Sequence, residues 1–277
     1  MNRAVAELVS EKLLEPPSLV QHLAGIYSGA ELKALSKTCG TPQSGPKEKV
    51  AQRLADADPT AMASLVRPHP AWICSARGRA RADEYKAEKR FERDKAEQET
   101  IEFLRLRRLQ AAALAVAQYE SRQLFARGIG VDWSRYDPAE DTKLLDLVFL
   151  AVPAILTGVS PDAVQPLRIA ASMALLWGTG DGSRWISPDT VAGITLPRSV
   201  AVRMFMFYAR HKRELERWPA WAGAPVIAVM PTGDARSCAG CRALAGRAYS
   251  ITDVPELPHA RCTSGDGCRC TYSMRAK

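Results

Sequence analysis

From Ala76 to Arg127 the chain runs through a long helical pattern that contains no proline and one glycine, Gly78, near its start. A pattern of that length predicts a mainly α-helical protein, since strands are short and helices need sustained runs. Its first half is almost pure charge: Arg77, Arg79, Arg81, Asp83, Glu84, Lys86, Glu88, Lys89, Arg90, Glu92, Arg93, Asp94 and Lys95. Acids and bases alternate there; Glu84 and Glu88 repel while Arg93 and Glu97 attract, each by only tenths of a kcal/mol. Such a mixed-sign stretch reads as a solvated helix. A contact with a nucleic-acid backbone through Arg77, Arg79 and Arg81 is the sharper alternative. The second half turns apolar at Ile101, Leu104, Leu109, Leu114, Ala117 and Leu124, and is expected to pack.

Punctuation divides the rest. Residues 1–62 read as short helices broken by Pro16-Pro17 and by the turn Gly40–Pro46, and residues 63–127 hold the Pro68-His69-Pro70 linker and the charged helix. Residues 128–222 form a helical domain, with start signals at Asp137-Pro138, Ser160-Pro161 and Ser187-Pro188, where proline suits a first helical position. The apolar run Leu144–Leu156 is too short for a membrane span and reads as a buried core helix. Gly178-Thr179-Gly180-Asp181-Gly182 reads as a flexible connection, because no strand precedes it and no Gly-Lys-Ser/Thr follows. Residues 223–277 are turn-rich, with one short β-type run at Ala224–Met230. The N-terminus carries Glu7 and Glu11 and has no continuous apolar stretch, so no secretory signal is read. A cytoplasmic protein is expected, nucleoid-associated if it binds DNA. The net charge of +8 and pI near 9.2 favour polyanionic partners.

Within the first segment, Ser28 and Glu31 form a capping box. Leu32, Leu35 and Cys39 make one apolar stripe, and Gly40 follows as a left-handed stop. After the turn, Val50 and Leu54 make a second stripe, and a helix around Leu19, Val20 and Leu23 can complete a small core. The order Glu31-Leu32-Lys33, Leu35, Gly40, Pro42, Ser44-Gly45, Lys47, Val50 and Arg53-Leu54 resembles the SAP family, a helix–extended turn–helix module. Thr41 stands where that family usually has leucine, and Pro46 where it has a small or polar residue. The resemblance covers residues 28–57 and implies binding of double-stranded DNA. On that reading Lys33, Lys37, Lys47, Lys49 and Arg53 reach phosphates, and Gly45 lets the backbone approach one closely. A helical hairpin used for protein contact is the alternative.

Five of the seven cysteines lie between Cys238 and Cys270. In a reducing compartment such crowding points to a metal before disulfides. Cys238-x-x-Cys241 is a knuckle, followed by His259-x-x-Cys262 and Cys268-x-Cys270. Zinc takes four such ligands at about 2.0–2.3 Å in a closed structural site. Cys238, Cys241, Cys262 and Cys268 are the favoured set, with His259 and Cys270 in reserve. Free thiols, or a redox Cys-x-x-Cys after a strand, are the alternatives. The run Thr232–Tyr249, then Pro255–His259 and Cys268-Arg-Cys270, is similar to the C-terminal motif of Mu-type phage head morphogenesis (minor capsid) proteins. That family runs His-x-x-Cys-x-Cys without a break, whereas here Thr263–Gly267 intervenes.

The histidines, His22, His69, His211 and His259, form no catalytic arrangement by spacing, and His211 in Arg210–Arg213 reads as solvated on a basic helix. The residues therefore predict a non-enzymatic DNA-binding protein with a structural zinc knuckle, using double-stranded DNA and, through its helical middle, other proteins as partners, and no membrane. A phage-type head assembly protein, located in the virion, is the rival.

Overall fold

The computed structural model describes residues 3–191, 196–222, 226–233 and 236–275. Ala224 and Pro225 of the expected strand, and Asp234 and Ala235 before the knuckle, lie outside the described residues. The chain is mainly helical, with small antiparallel sheets, and divides into two compact units, Met1–Phe91 and Glu92–Lys277.

The first unit contains α1 (Arg3–Ser10), β1 (Leu14–Glu15), α2 (Leu19–Ile26), α3 (Gly29–Thr38), α4 (Lys47–Ala57), α5 (Pro59–Val66), β2 (Ile73–Cys74) and the start of α6 (Ala76–Arg105). Side chains close the helix starts as the sequence requires. Ser28 Oγ accepts from the Glu31 amide at 3.3 Å while the Ser28 amide donates to Glu31 Oε2 at 2.6 Å, the expected capping box. Ser18 and Gln21 do the same for α2, and Asp58 accepts from the Ala61 amide ahead of Pro59 in α5. Leu23, Leu32, Val50, Ala51, Leu54, Ala55, Met62 and Val66 form the unit's core. Cys39 departs from its expected stripe: it is exposed at the C-cap, and Ser36, one turn after Leu32, takes the buried place. β1 and β2 pair antiparallel, with Leu14 opposite Cys74.

In the second unit, the pattern expected to continue to Arg127 breaks twice. α6 ends at Arg105, Arg107 takes a left-handed φ of 57°, and α7 (Leu109–Ser121) starts anew. Ile101, Leu104, Leu109 and Ala117 are buried, but Leu114 is half-exposed and Leu124 lies on the surface beyond α7. α8 (Ala139–Leu150) and α9 (Pro161–Leu176) begin at the predicted Asp-Pro and Ser-Pro signals, whereas Ser187-Pro188 opens only a 3-10 turn. The helix expected through Leu156 stops at Leu150. Ala151 is extended, and the helix ends ahead of Pro153, whose ring disfavours helical backbone in the residue before it.

Gly178–Gly182 is no slack connection at its far end. A Cβ on Gly182 would lie 2.5 Å from the Ala170 carbonyl oxygen, so glycine there permits close packing on α9. α10 (Arg198–Ala222) lies against α8 and α9. His211 on it is buried rather than solvated, its ring against Tyr272 and Phe207. The fold ends with β3 (Val226–Met230), α11 (Ala239–Arg242), β4 (Ala248–Tyr249) and β5 (Thr271–Arg275), in the sheet order β4-β3-β5. One core joins Leu104, Leu145, Leu167, Met173 and Phe205 to Ile227, Val229, Cys241, Cys268 and Cys270. The cysteine-rich tail is therefore continuous with the helical middle.

Candidate metal centre and candidate nucleic-acid interface

Two turns and a strand bring the thiols together. Cys238 caps α11, its Sγ accepting from the Cys241 amide at 3.4 Å, so both sulfurs of the knuckle face inward. The Cys262 amide donates to the His259 carbonyl at 3.0 Å. The five-residue insertion then forms a turn whose end packs on α10, closed by the Gly267 amide on Ser264 O at 2.9 Å. Arg203 donates to the Asp266 carbonyl at 2.6 Å and Arg236 pairs with its carboxylate at 3.2 Å. The chain returns so that Cys268 and Cys270 meet Cys241. Sulfur separations are 3.8 Å for Cys238–Cys262 and 3.9 Å for Cys241–Cys268, and all seven cysteines are free thiols. Ligand sulfurs about 2.3 Å from one tetrahedral ion stand about 3.8 Å apart.

Among the described residues, two groups of side chains could hold a metal ion: Cys238, Cys241 and Cys262, and Cys241, Cys268 and Cys270. Five of the six sequence candidates are thus brought together. The His259 ring belongs to neither group, and its buried Nδ1 has no hydrogen-bond partner. Its backbone serves the loop instead.

The electrostatics favour thiolate. Burial raises the Cys238 thiol, yet the Thr263 and Cys241 amides outweigh it and bring the pKa down to about 6. Cys268 is held at about 5, chiefly by the Cys270 thiol and against burial, with help from the His259 and Cys270 amides. Burial pushes Cys262 up to about 11, and pushes Cys241 up too; Cys270 is raised by its bond to Cys268 and then by burial. Cys238 and Cys268 are thus drawn toward thiolate and the other three held as thiols, whose protons a divalent cation would displace. Sequence reasoning missed the Thr263, Ser264 and His259 amides; the insertion itself was the available signal. A redox dithiol normally sits in a βαβ setting, whereas β3 is antiparallel to both neighbours.

The nucleic-acid candidates lie around the α3–α4 turn. Lys33, Lys37 and Lys49 are exposed and Lys47 is half-buried. Arg53 is half-buried and donates to the Ser44 carbonyl, so it braces the turn. Gly45 has φ +104°, a conformation that side chains disfavour, with Lys49 and Arg53 beside it. Pro46 supplies no side-chain cap to α4, though its carbonyl accepts from the Lys49 amide at 3.0 Å, and a helix start without such a cap favours an anion. Lys33, Lys37, Lys47, Lys49 and Arg53 outnumber Glu31, Glu48 and Asp56, while Arg3 and Lys12 are outnumbered by Glu7, Glu11, Glu15 and Asp58. Of the other basic run, Arg79 donates to the Cys74 carbonyl and Arg81 pairs with Glu84, while Arg77 is exposed.

No family model, curated protein or solved structure matches the chain. No helix among the described residues is long and apolar enough to cross a membrane.

Proposed function

We propose that this chain is a non-enzymatic protein that binds double-stranded DNA through residues 28–57 and carries a structural zinc ion in its C-terminal unit. The observation that carries the DNA reading is the start of α4 behind Gly45, which has no side-chain cap and has the Lys49 side chain beside it. Open amides and mobile ammonium groups suit phosphate and read no sequence. Zinc is the ion best suited to a closed set of thiolates with no redox step to perform.

The test is a titration of fluorescent duplex DNA with the full chain across a salt series. A log–log slope of about −3 to −5 is expected, as for three to five phosphate contacts, and Lys47→Ala should weaken binding to unrelated sequences alike and flatten the slope by about 1. Binding unchanged when Lys33, Lys37, Lys47 and Lys49 are all alanine would overturn the assignment.

A phage-type head assembly role is the second reading, and one observation favours it. The insertion that interrupts the head-protein motif closes as a turn, so Cys262 still meets Cys238 and Cys241, while Cys268 and Cys270 meet Cys241. The two resemblances lie in different compact units, and a head protein that touches packaged DNA accommodates both. Protein partners then have the open groove of about 620 Å³ lined by Phe103, Leu114, Trp133 and Tyr136. Co-sedimentation of the full chain with head-sized particles supports this reading; DNA binding without it leaves the first alone.

A further inference from the structure

The most exposed large apolar side chains among the described residues lie together on one short loop after α7. Leu124 and Phe125 are 81% and 92% exposed, and Ile129 is fully so. A slack loop would fold such side chains inward, but this one is held from within. The Arg127 amide and Nε donate to the two oxygens of the buried Glu120 at 2.9 and 3.0 Å, and Arg127 Nη2 donates to the Leu176 carbonyl at 2.6 Å. Trp133 Nε1 donates to the Arg127 carbonyl at 2.5 Å. Gly178 clears the space, since a Cβ there would collide with the Arg127 guanidinium. The loop is therefore fixed at Arg127 while its apolar side chains stay in solvent. A phenylalanine side chain buries about 150–250 Å². With Leu124 and Ile129 the loop leaves on the order of 500 Å² of apolar surface open, near the upper end for a monomer.

We infer that this loop is a self-association knob, seated in the groove of a second copy of this chain. The groove of about 620 Å³ lies beside it, and Trp133 belongs to both, lining the groove and holding Arg127. A knob and a hole side by side on one unit are what a two-fold pair requires. Each copy then gives its loop and receives the other's within a single interface. A stable interface takes about 800 Å² from each partner. The loop alone falls short of that, whereas the loop with the groove wall of Phe103, Leu114, Trp133 and Tyr136 supplies area of that order. Charge agrees: Arg122 at the foot of the loop and Glu99 on the groove wall are exposed, opposite in sign and in no ion pair among the described residues. Loop and groove both lie in the second unit, so the pairing stands apart from the DNA module of the first.

The experiment is sedimentation velocity of the full chain over a range of protein concentrations, in the wild type and in two variants altered at the surface. The wild type should be dimeric by about 10 μM, since interfaces of this area bind in the micromolar range or tighter. One variant removes the knob, with Leu124→Ser, Phe125→Ser and Ile129→Ser combined. The other, Leu114→Lys, places a charge in the groove. Each alone should associate at least about tenfold more weakly than the wild type, as truncated anchor residues do. Mixed together, the two should form a heterodimer, because the intact loop of one still meets the intact groove of the other. That rescue also shows both variants to be folded, since a misfolded copy offers neither surface. A wild type that stays monomeric at every concentration overturns the assignment. So does a dimer that survives removal of the knob, which would place the contact elsewhere, and so does a mixture of the two variants that remains monomeric.

Discussion

Glu97 is the residue on which the second unit's polar packing turns. Its carboxylate is 8% exposed and accepts from Arg93 Nε at 2.9 Å, from Trp185 Nε1 at 2.9 Å and from Arg184. Glu97→Gln keeps the shape and removes the charge, leaving two guanidinium groups facing an amide. Breaking a fully buried pair in this way costs about 3–5 kcal/mol. Arg93 and Arg184 are 40% and 49% exposed, so water recovers part, and about 2–3 kcal/mol remains. For a unit of this size that lowers Tm by roughly 4–12 °C, read by calorimetry at pH 7. The pH dependence has a definite sign. Burial raises the Glu97 pKa, but the bonds from Arg93, Trp185 and Arg184 outweigh it and hold the carboxyl below its ordinary 4.5. Its contribution is therefore complete above pH 4.5 and lost as pH falls through the folded value. The gap between wild type and Glu97→Gln should close in strong acid, where both side chains are neutral. A gap under 1 °C at pH 7, or one that persists in acid, refutes the reasoning.

Gly78→Ala should destabilise the first unit by about 2 kcal/mol although alanine is the better helix former by about 1 kcal/mol. Its Cβ would fall 2.0 Å from the Leu13 carbonyl oxygen and push β1 off α6, a change visible in urea unfolding. His211 is buried and held neutral, its pKa lowered to about 4 chiefly by burial, with the Leu257 backbone bond opposing and Arg210 assisting. The unfolded chain binds that proton near pH 6.5, so about 3 kcal/mol is lost as pH falls from 6.5 to 4. Melting of His211→Gln should lack this component relative to wild type. Replacing Cys238 and Cys241 together with serine should release metal and lower the second unit's Tm; unchanged melting with full metal content speaks against a structural site.

What was legible in the sequence was local. The Ser28–Glu31 capping box, the Asp137-Pro138 and Ser160-Pro161 helix starts and the Val226–Met230 strand each depend on a few neighbours, and each is present. Errors arose where distant packing decides. The sequence around His211 reads as a basic helix face, and only the return of β5 across α10 puts Tyr272 over the imidazole. Leu124 carries the right apolar spacing, but α7 has ended three residues earlier, so it has no face to join. Arg53 stands as a phosphate candidate by charge, and its bond to the Ser44 carbonyl is a contact that charge alone does not indicate.

The cysteine site shows the same division at the scale of chemistry. Spacing identifies which residue types gather, because two thiols three positions apart on one turn must face the same way. Spacing does not say how an insertion between two candidate ligands will fold, and Thr263–Gly267 makes the linear order of Cys262, Cys268 and Cys270 a poor guide to their order in space. That order is set by Arg203 and Arg236 gripping Asp266, and by β5 pairing in register with β3 so that Tyr272 opposes Val229. Those contacts span tens of residues and also join α10 to the tail. Loss of the Arg203–Asp266 bond should therefore move the thiols before it moves the helices, and metal affinity is the observable that responds first.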